Sequence, residues 1–353
     1  MDRPAETDPR PVAARADLEG EPEAGAGETL LSRTLRANSL WIFLVLVVLV
    51  LGFSVARPQA FLSPFNIQSI FTNAATLLVV SVGMTYVIVS AGIDLSVGSV
   101  LVFSGVVAAK TMTGIGGQDS GWGPIVIGLV VGLLGGLAWG ITNGILVAKA
   151  HIPPLIVTLG TLGMALGSAQ IITGGTDVRN VPVQLTAVLG QGRLLGVIPW
   201  LVVIAVVVTI VGGLVLATTR FGRYTYAIGS NTEAARRAGI AVDRHLLKVY
   251  ALSGLLAGLA GDLSLAYFTT TTIGGHTTDN LSAIAAVVLG GTSLFGGVGT
   301  MFGTVVGVFI PAVLGSGFVI IGVQPFWQSV AVGAVLVAAV FVDQWRRRAR
   351  ENR

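Results

Sequence analysis

The chain is predicted to be an all-α, polytopic membrane protein of about ten transmembrane helices, and three features of its 353 residues carry the prediction: 53% are hydrophobic, 11% are charged, and the mean hydropathy is +0.83. Soluble domains carry about 25% charged residues, so this balance belongs in lipid. Runs free of charge then locate the helices, because a charge near the bilayer centre costs a few kcal/mol or more and about 20 apolar residues suffice to cross.

Residues 1–37 are rich in Pro, Glu, Asp, Arg and Ala and read as a disordered cytoplasmic tail. The first apolar run, Leu40 to Ala56, starts too late for a cleavable signal peptide and is a retained anchor. Residues 280–342 contain no Asp, Glu, Lys, Arg or His. As helix they would far exceed one bilayer, so they divide into about three spans with breaks near Gly296–Gly299 and Gly322–Pro325. The same procedure gives spans at roughly 39–56, 68–90, 95–112, 124–148, 153–173, 194–217, 248–268, 281–296, 299–320 and 325–343. The membrane domain is therefore 38–345, followed by a basic tail, 346–353.

With the amino terminus inside, 17 of the 21 basic residues fall on the cytoplasmic side and four (Arg57, Lys110, Arg179, Arg193) outside. That asymmetry places both termini and the 218–248 loop in the cytoplasm. It also accounts for the pI near 9.8, so nucleic acid is discarded as a partner. No residue is cysteine, which excludes disulfides, thiolate metal sites and cysteine nucleophiles. Gly128, Gly132, Gly136, Gly140 and Gly144 recur every fourth position on the fourth span. Such a groove lets another helix approach closely; a glycine-lined channel wall is the alternative.

The loop 218–248 carries six basic residues (Arg220, Arg223, Arg236, Arg237, Arg244, Lys248) against Glu233 and Asp243. Ser230-Asn231-Thr232-Glu233 fits a capping box, with Asn231 as the alternative cap. Ala234, Ala235, Arg236, Arg237 and Ala238 favour helix, and Gly239 supplies a left-handed stop. A helix this short is unstable alone, so something must hold it. Either it packs on its own membrane domain with arginines on anionic lipid, or it docks into a partner.

The chain resembles the membrane permeases of bacterial ABC importers for sugars of the ribose/galactose/xylose type. The resemblance spans residues 65 to 345 and rests on Gly83-Met84-Thr85, Gly92-Ile93-Asp94-Leu95-Ser96-Val97-Gly98-Ser99, Ile152-Pro153-Pro154 through Thr158-Leu159-Gly160-Thr161, Thr173-Gly174-Gly175, Phe221-Gly222-Arg223 through Asn231, Ala234-Ala235-Arg236, Gly239-Ile240 and Gly290-Gly291-Thr292-Ser293-Leu294-Phe295-Gly296-Gly297. It implies that Ser230, Asn231, Glu233, Ala234, Ala235, Arg236, Arg237 and Gly239 form a coupling helix in a groove of a separate ABC ATPase subunit. Proline at Glu233 or valine at Gly239 should then break the lever. It also implies a periplasmic or lipid-anchored sugar-binding protein, a second permease copy as homodimer or paralogue heterodimer, a bacterial inner membrane, and no cofactor on this chain, ATP and Mg being held by the partner.

Polar residues within the membrane are the candidates for pathway or gate. Asp94 is either a helix cap for Leu95 onward or a gate at the inner mouth. Gly92/Leu95/Gly98 and Gly291/Leu294/Gly297 share a spacing that hints at paired helix breaks. Asp262 falls in the seventh span, where the resembled family tends to be apolar; it lines the pathway, or it caps a second segment after a break at Gly261. Asn73, Ser96, Asn143, Thr158, Thr161, Gln170, Thr292 and Ser293 complete the set, each with an alternative use as interhelical glue. The outer loop Thr269–Asn280 is a candidate contact for the binding protein, although Asn280 and Ser282 stand where the family tends to carry acids. His276 reads as solvated, and three scattered histidines make no metal set.

No Gly-x-x-x-x-Gly-Lys-Ser/Thr loop occurs, since none of the three lysines follows a glycine. ATP-driven import of a monosaccharide or related polyol by alternating access is the leading reading. An ion-coupled secondary transporter is second, and a membrane-embedded enzyme third, with no nucleophile–base pair or metal cluster to support it.

Overall fold

The computed structural model describes residues 39–324 except 277, with isolated positions from there to 341. The expected tails 1–37 and 346–353, and most of the expected span 325–343, lie outside the described residues. In chain order the elements are α1 (Ser39–Ala56), a turn α2 (Pro58–Phe61), α3 (Pro64–Val89), α4 (Val97–Ile115), α5 (Trp122–Ala148) and α6 (Pro154–Thr173). A turn α7 (Val183–Leu185) leads into a π-turn, and β1 (Arg193–Leu194) pairs antiparallel with β2 (Ile198–Pro199). Then come α8 (Trp200–Thr218), α9 (Arg220–Ser230), α10 (Thr232–Arg237), α11 (Val242–Phe268), α12 (Asp279–Leu289) and α13 (Met301–Ile320).

Seven of these, α3, α4, α5, α6, α8, α11 and α13, are long and apolar enough to cross a membrane. Local chemistry sets their ends. Ser63 accepts from the Asn66 amide ahead of Pro64, Pro154 opens α6, Gly174 ends it at φ 66°, and Thr300 caps α13 by accepting from Gly303 N at 3.0 Å. The sixth expected span, 194–217, begins later than read, because β1 and β2 occupy its first residues.

The eighth expected span, 281–296, is corrected. Helix α12 has 11 residues, about 16 Å at ~1.5 Å per residue, roughly half of a bilayer core. It stops at Leu289, and Gly291, Gly296 and Gly297 take φ of 89°, 83° and 74° in the loop that follows. Both Gly-x-x-Leu-x-x-Gly segments do fall at breaks, one between α3 and α4 and the other between α12 and α13.

Helices α3 and α11 form the centre; over its most apolar window α3 is 83% buried, against 17% for peripheral α8. Antiparallel α5 and α11 approach through the glycine column. Gly140 faces Tyr250 and Gly254, Gly136 faces Gly254 and Gly258, Gly144 faces Leu247, while Gly128 and Gly132 also meet Met112 and Ala108 of α4. All five column glycines are buried, and a Cβ on Gly254 would lie 2.6 Å from Gly140 Cα. The column packs helix on helix and is not a channel wall. Helix α11 runs unbroken past Gly261, so Asp262 caps no second segment.

Candidate functional site

At one end of the bundle α10 stands out as an exposed peg. Its cap is Asn231, whose Oδ1 accepts from Ala234 N at 2.9 Å; Ser230 is the last residue of α9, so the capping box with Glu233 is not formed. The stop is as expected: Gly239 lies at φ 81°, and Ile240 N donates to Ala235 O at 3.1 Å. Ala235 alone of the helix is buried, in a small cluster with Ile228, Val242, Ile240 and Leu246, which supplies the support so short a helix needs. Glu233, Ala234, Arg236 and Arg237 face outward. Arg236 bridges to Asp243 at 3.0 Å; both are about half exposed, so the pair contributes at most about 1 kcal/mol.

The peg is mounted on α9, which was expected to be loop. Thr219 caps α9 by accepting from Gly222 N at 3.3 Å. Thr225 Oγ1 meets His245 Nε2 of α11 at 2.8 Å, and the Tyr226 hydroxyl donates to Gly299 O at 2.7 Å. Burial raises the Tyr226 phenol above its ordinary range, which keeps it a donor. At the far end of α9, Gly229 lies against Val89 O and Gly297 N, and Gly297 N itself donates to Val89 O at 2.9 Å. Three main chains meet there with no room for a Cβ.

The connector that starts at this junction, Ser90–Ser96, holds the buried polar network. Asp94 is 1% exposed; its Oδ1 accepts from Ser96 N at 3.0 Å and Ser96 Oγ at 2.6 Å, and its Oδ2 from Ser253 Oγ of α11 at 3.0 Å. Helix α4 begins at Val97 with Ser96 as cap, so Asp94 ties the connector rather than capping a helix from Leu95. The chain continues through Asn143 Nδ2 to Ser96 Oγ at 2.8 Å and Thr161 Oγ1 to Asn143 Oδ1 at 2.7 Å, while Thr158 Oγ1 donates to Ile93 O at 3.3 Å. Five of the pathway candidates therefore converge, binding α4, α5, α6 and α11 together where lipid offers no hydrophobic drive.

The others are scattered. Asp262 is 3% exposed, faces Gly132, and neither carboxylate oxygen has a partner. Thr292 is buried with its hydroxyl unpartnered, and Ser293 lies in the loop after α12, its amide donating to Val298 O at 3.0 Å. Asn73 is exposed at the opposite end of the bundle from α10, where its Nδ2 reaches Ser69 Oγ at 3.3 Å. Gln170, also exposed, sits near the same end of α6. Asn280 is buried, donating to Leu95 O at 3.0 Å, so it offers no exposed docking contact. His276 is not solvated. It is 8% exposed, with Nε2 2.7 Å from Ser264 Oγ and Nδ1 2.7 Å from Asp279 Oδ2.

Seven apolar helices, a polar belt bridging four of them and an exposed capped helix at one end define a multi-pass membrane protein. A family model described as "Branched-chain amino acid transport system / permease component" matches residues 66–340. The chain belongs to this family of permease components. It is 39% identical over 303 residues to the ribose import permease protein RbsC of Bacillus subtilis (strain 168), covering 86% of this chain and 91% of that protein. The fructose import permease protein FrcC of Rhizobium meliloti is 34% identical over 311 residues (86% and 85%), and the D-allose transport system permease protein AlsC of Escherichia coli (strain K12) is 34% identical over 302 (86% and 90%). No solved structure matches the chain.

Proposed function

We propose that the chain is the transmembrane permease subunit of an ATP-driven, binding-protein-dependent importer of a monosaccharide or related polyol, working by alternating access in a bacterial inner membrane with both termini cytoplasmic. The observation that carries the reading is α10: a capped, outward-facing helix rigidly seated on α9 and α11. Its partners are an ABC ATPase subunit that grips α10, a sugar-binding protein at the opposite end, and a second permease copy. Force on α10 passes to α9, through the junction of Gly229, Val89 and Gly297, into the connector that bears Asp94. Moving that connector strains the hydrogen bonds linking α4, α5, α6 and α11, which is how a push at one end changes access within the bundle. The sugar relatives support the cargo class; the family description, which names branched-chain amino acids, makes leucine the contrasting solute.

Uptake of labelled sugar into right-side-out vesicles, or into proteoliposomes with ATP enclosed on the α10 side and the binding protein outside, tests this. Dependence on ATP and on the cognate binding protein is expected, and a single cysteine at Ala234 or Ala238 should crosslink to the ATPase subunit. Uptake that survives ATP depletion and collapses with an ionophore would instead establish an ion-coupled carrier.

A further inference from the structure

The end of the bundle opposite α10 is hollowed. A cavity of about 210 Å³ there is walled by Asn73 and Thr76 of α3, Tyr267 of α11, His276, and Asp279 and Ser282 of α12. That volume holds ~7 waters at ~30 Å³ each, a size suited to one small solute. We propose that this cavity is a binding site for a polyhydroxylated solute, a monosaccharide or polyol, organised around the Asp279 carboxylate. The inference rests on the importer reading above and gives it an entry site.

The carboxylate is held in place from behind. His276 Nδ1 lies 2.7 Å from Asp279 Oδ2, and the other ring nitrogen is fixed 2.7 Å from Ser264 Oγ. With both ring nitrogens engaged, the imidazole cannot turn, and the carboxylate it holds keeps one orientation. Among the described residues Oδ1 of Asp279 has no partner, and the side chain is 26% exposed, so the group still has an acceptor to offer. Asp279 also opens α12, where a carboxylate is favoured by the helix dipole.

Serine, histidine and aspartate in series resemble a hydrolytic triad, but Ser264 is 4% exposed and forms no part of the cavity wall. No substrate carbonyl can reach it, so the chain positions a carboxylate and activates no nucleophile. Hydroxyls fit the wall because it mixes acceptors (Asp279, Asn73) with hydroxyls and an amide that both donate and accept, beside the Tyr267 ring against which a sugar's C–H face can rest. No Lys or Arg lines the cavity, so an amino acid would bury its carboxylate without a cation. A second cavity of about 520 Å³, lined by Arg193 among others, shares Thr72 and Tyr267 with the first.

The absence of native cysteine makes the test direct. Ala312→Cys puts one thiol on an apolar part of the wall, in the full chain in membrane vesicles, and its labelling by a small maleimide is followed with D-ribose, D-fructose, D-allose or L-leucine present. At least one sugar should slow labelling by 1 + [L]/Kd, about tenfold at ten times Kd, and leucine should not. Adding Asp279→Asn should leave the sugar-free labelling rate unchanged and move protection to at least tenfold higher sugar; Ser282→Ala, which leaves the His276 bridge intact, should weaken it in the same direction. A thiol that does not label, labelling indifferent to every sugar, or protection unaltered by both substitutions overturns the site. ATP-dependent uptake without protection removes the site and spares the importer reading, whereas protection with uptake indifferent to the ATPase does the reverse.

Discussion

Replacing Gly254 by alanine should loosen the bundle although alanine is the better helix former. The new Cβ would lie 2.6 Å from both Cα and N of Gly140, against a normal carbon separation of ~3.5–4.0 Å. These are backbone atoms on another helix, so no rotamer change relieves the contact, and α5 and α11 must part by about 1 Å. Overpacking of this kind costs about 1–3 kcal/mol, and each Cα–H contact to a facing carbonyl that is lost adds ~0.5–1 kcal/mol. The gain in helix propensity returns about 1 kcal/mol, leaving a net loss of roughly 2 kcal/mol. Gly52→Ala on α1 is the matched control, because nothing lies within 4 Å of its added Cβ and propensity acts alone. Thermal unfolding of both variants in the same lipid nanodiscs should show Gly254→Ala melting several degrees below wild type and Gly52→Ala at or above it. Equal melting temperatures would refute the close-approach account of the column.

Gly239→Val forces a β-branched residue to φ 81°, a strain of about 1–3 kcal/mol, and should cut ATP-dependent uptake at least tenfold while membrane insertion, read by protease protection, stays normal. Asn231→Ala removes the cap for about 1 kcal/mol and should reduce uptake partially. Asp94→Asn weakens three hydrogen bonds to a buried carboxylate and should lower thermal stability by about 3 kcal/mol or more. Asp262→Leu replaces two unpartnered oxygens by methyl groups of similar shape and should raise the melting temperature; uptake at the wild-type rate would remove Asp262 from the pathway, and a fall in uptake would place it there.

Hydropathy located the long helices because it measures where a residue can reside, and the seven long spans are apolar along most of their length whether they face lipid, as α8 does, or the protein interior, as α3 and α11 do. The same measure is blind to conformation, so α12 was overextended: the residues after Leu289 are as free of charge as those before it, and Gly290 and Gly291, which open the loop, carry no hydropathy signal. The glycine column was legible from spacing alone, since period-four small residues have one common structural use. Its partner surface, Gly254 and Gly258, is also spaced by four. The peg was legible from its caps, yet the choice between Ser230 and Asn231 turned on whether α9 ran through Ser230, which Thr219, Phe221, Thr225 and Ile228 at helical spacing would have indicated. That choice matters for mutagenesis. With Asn231 as cap, Glu233 is the second helical residue, whose amide has no intrahelical acceptor, so proline there is tolerable and is a poor probe of the lever. His276 was misread because Ser264 is brought to it by a chain reversal that sequence spacing does not encode, although Asp279, three residues on, was a local partner in plain view.

Main chain pressed on main chain at Gly229, Val89 and Gly297 leaves no compressible side chain between α9 and the connector beyond it. Such a joint has no slack, and a displacement of α9 reaches Ser90 almost undiminished. The hollow beside Asp279 lies at the other extremity, walled by side chains that do not touch this joint. The neighbouring Asn280 nevertheless donates to Leu95 O of the connector, so the two extremities are tied through Ser90–Ser96 by a side-chain hydrogen bond rather than by packed main chain.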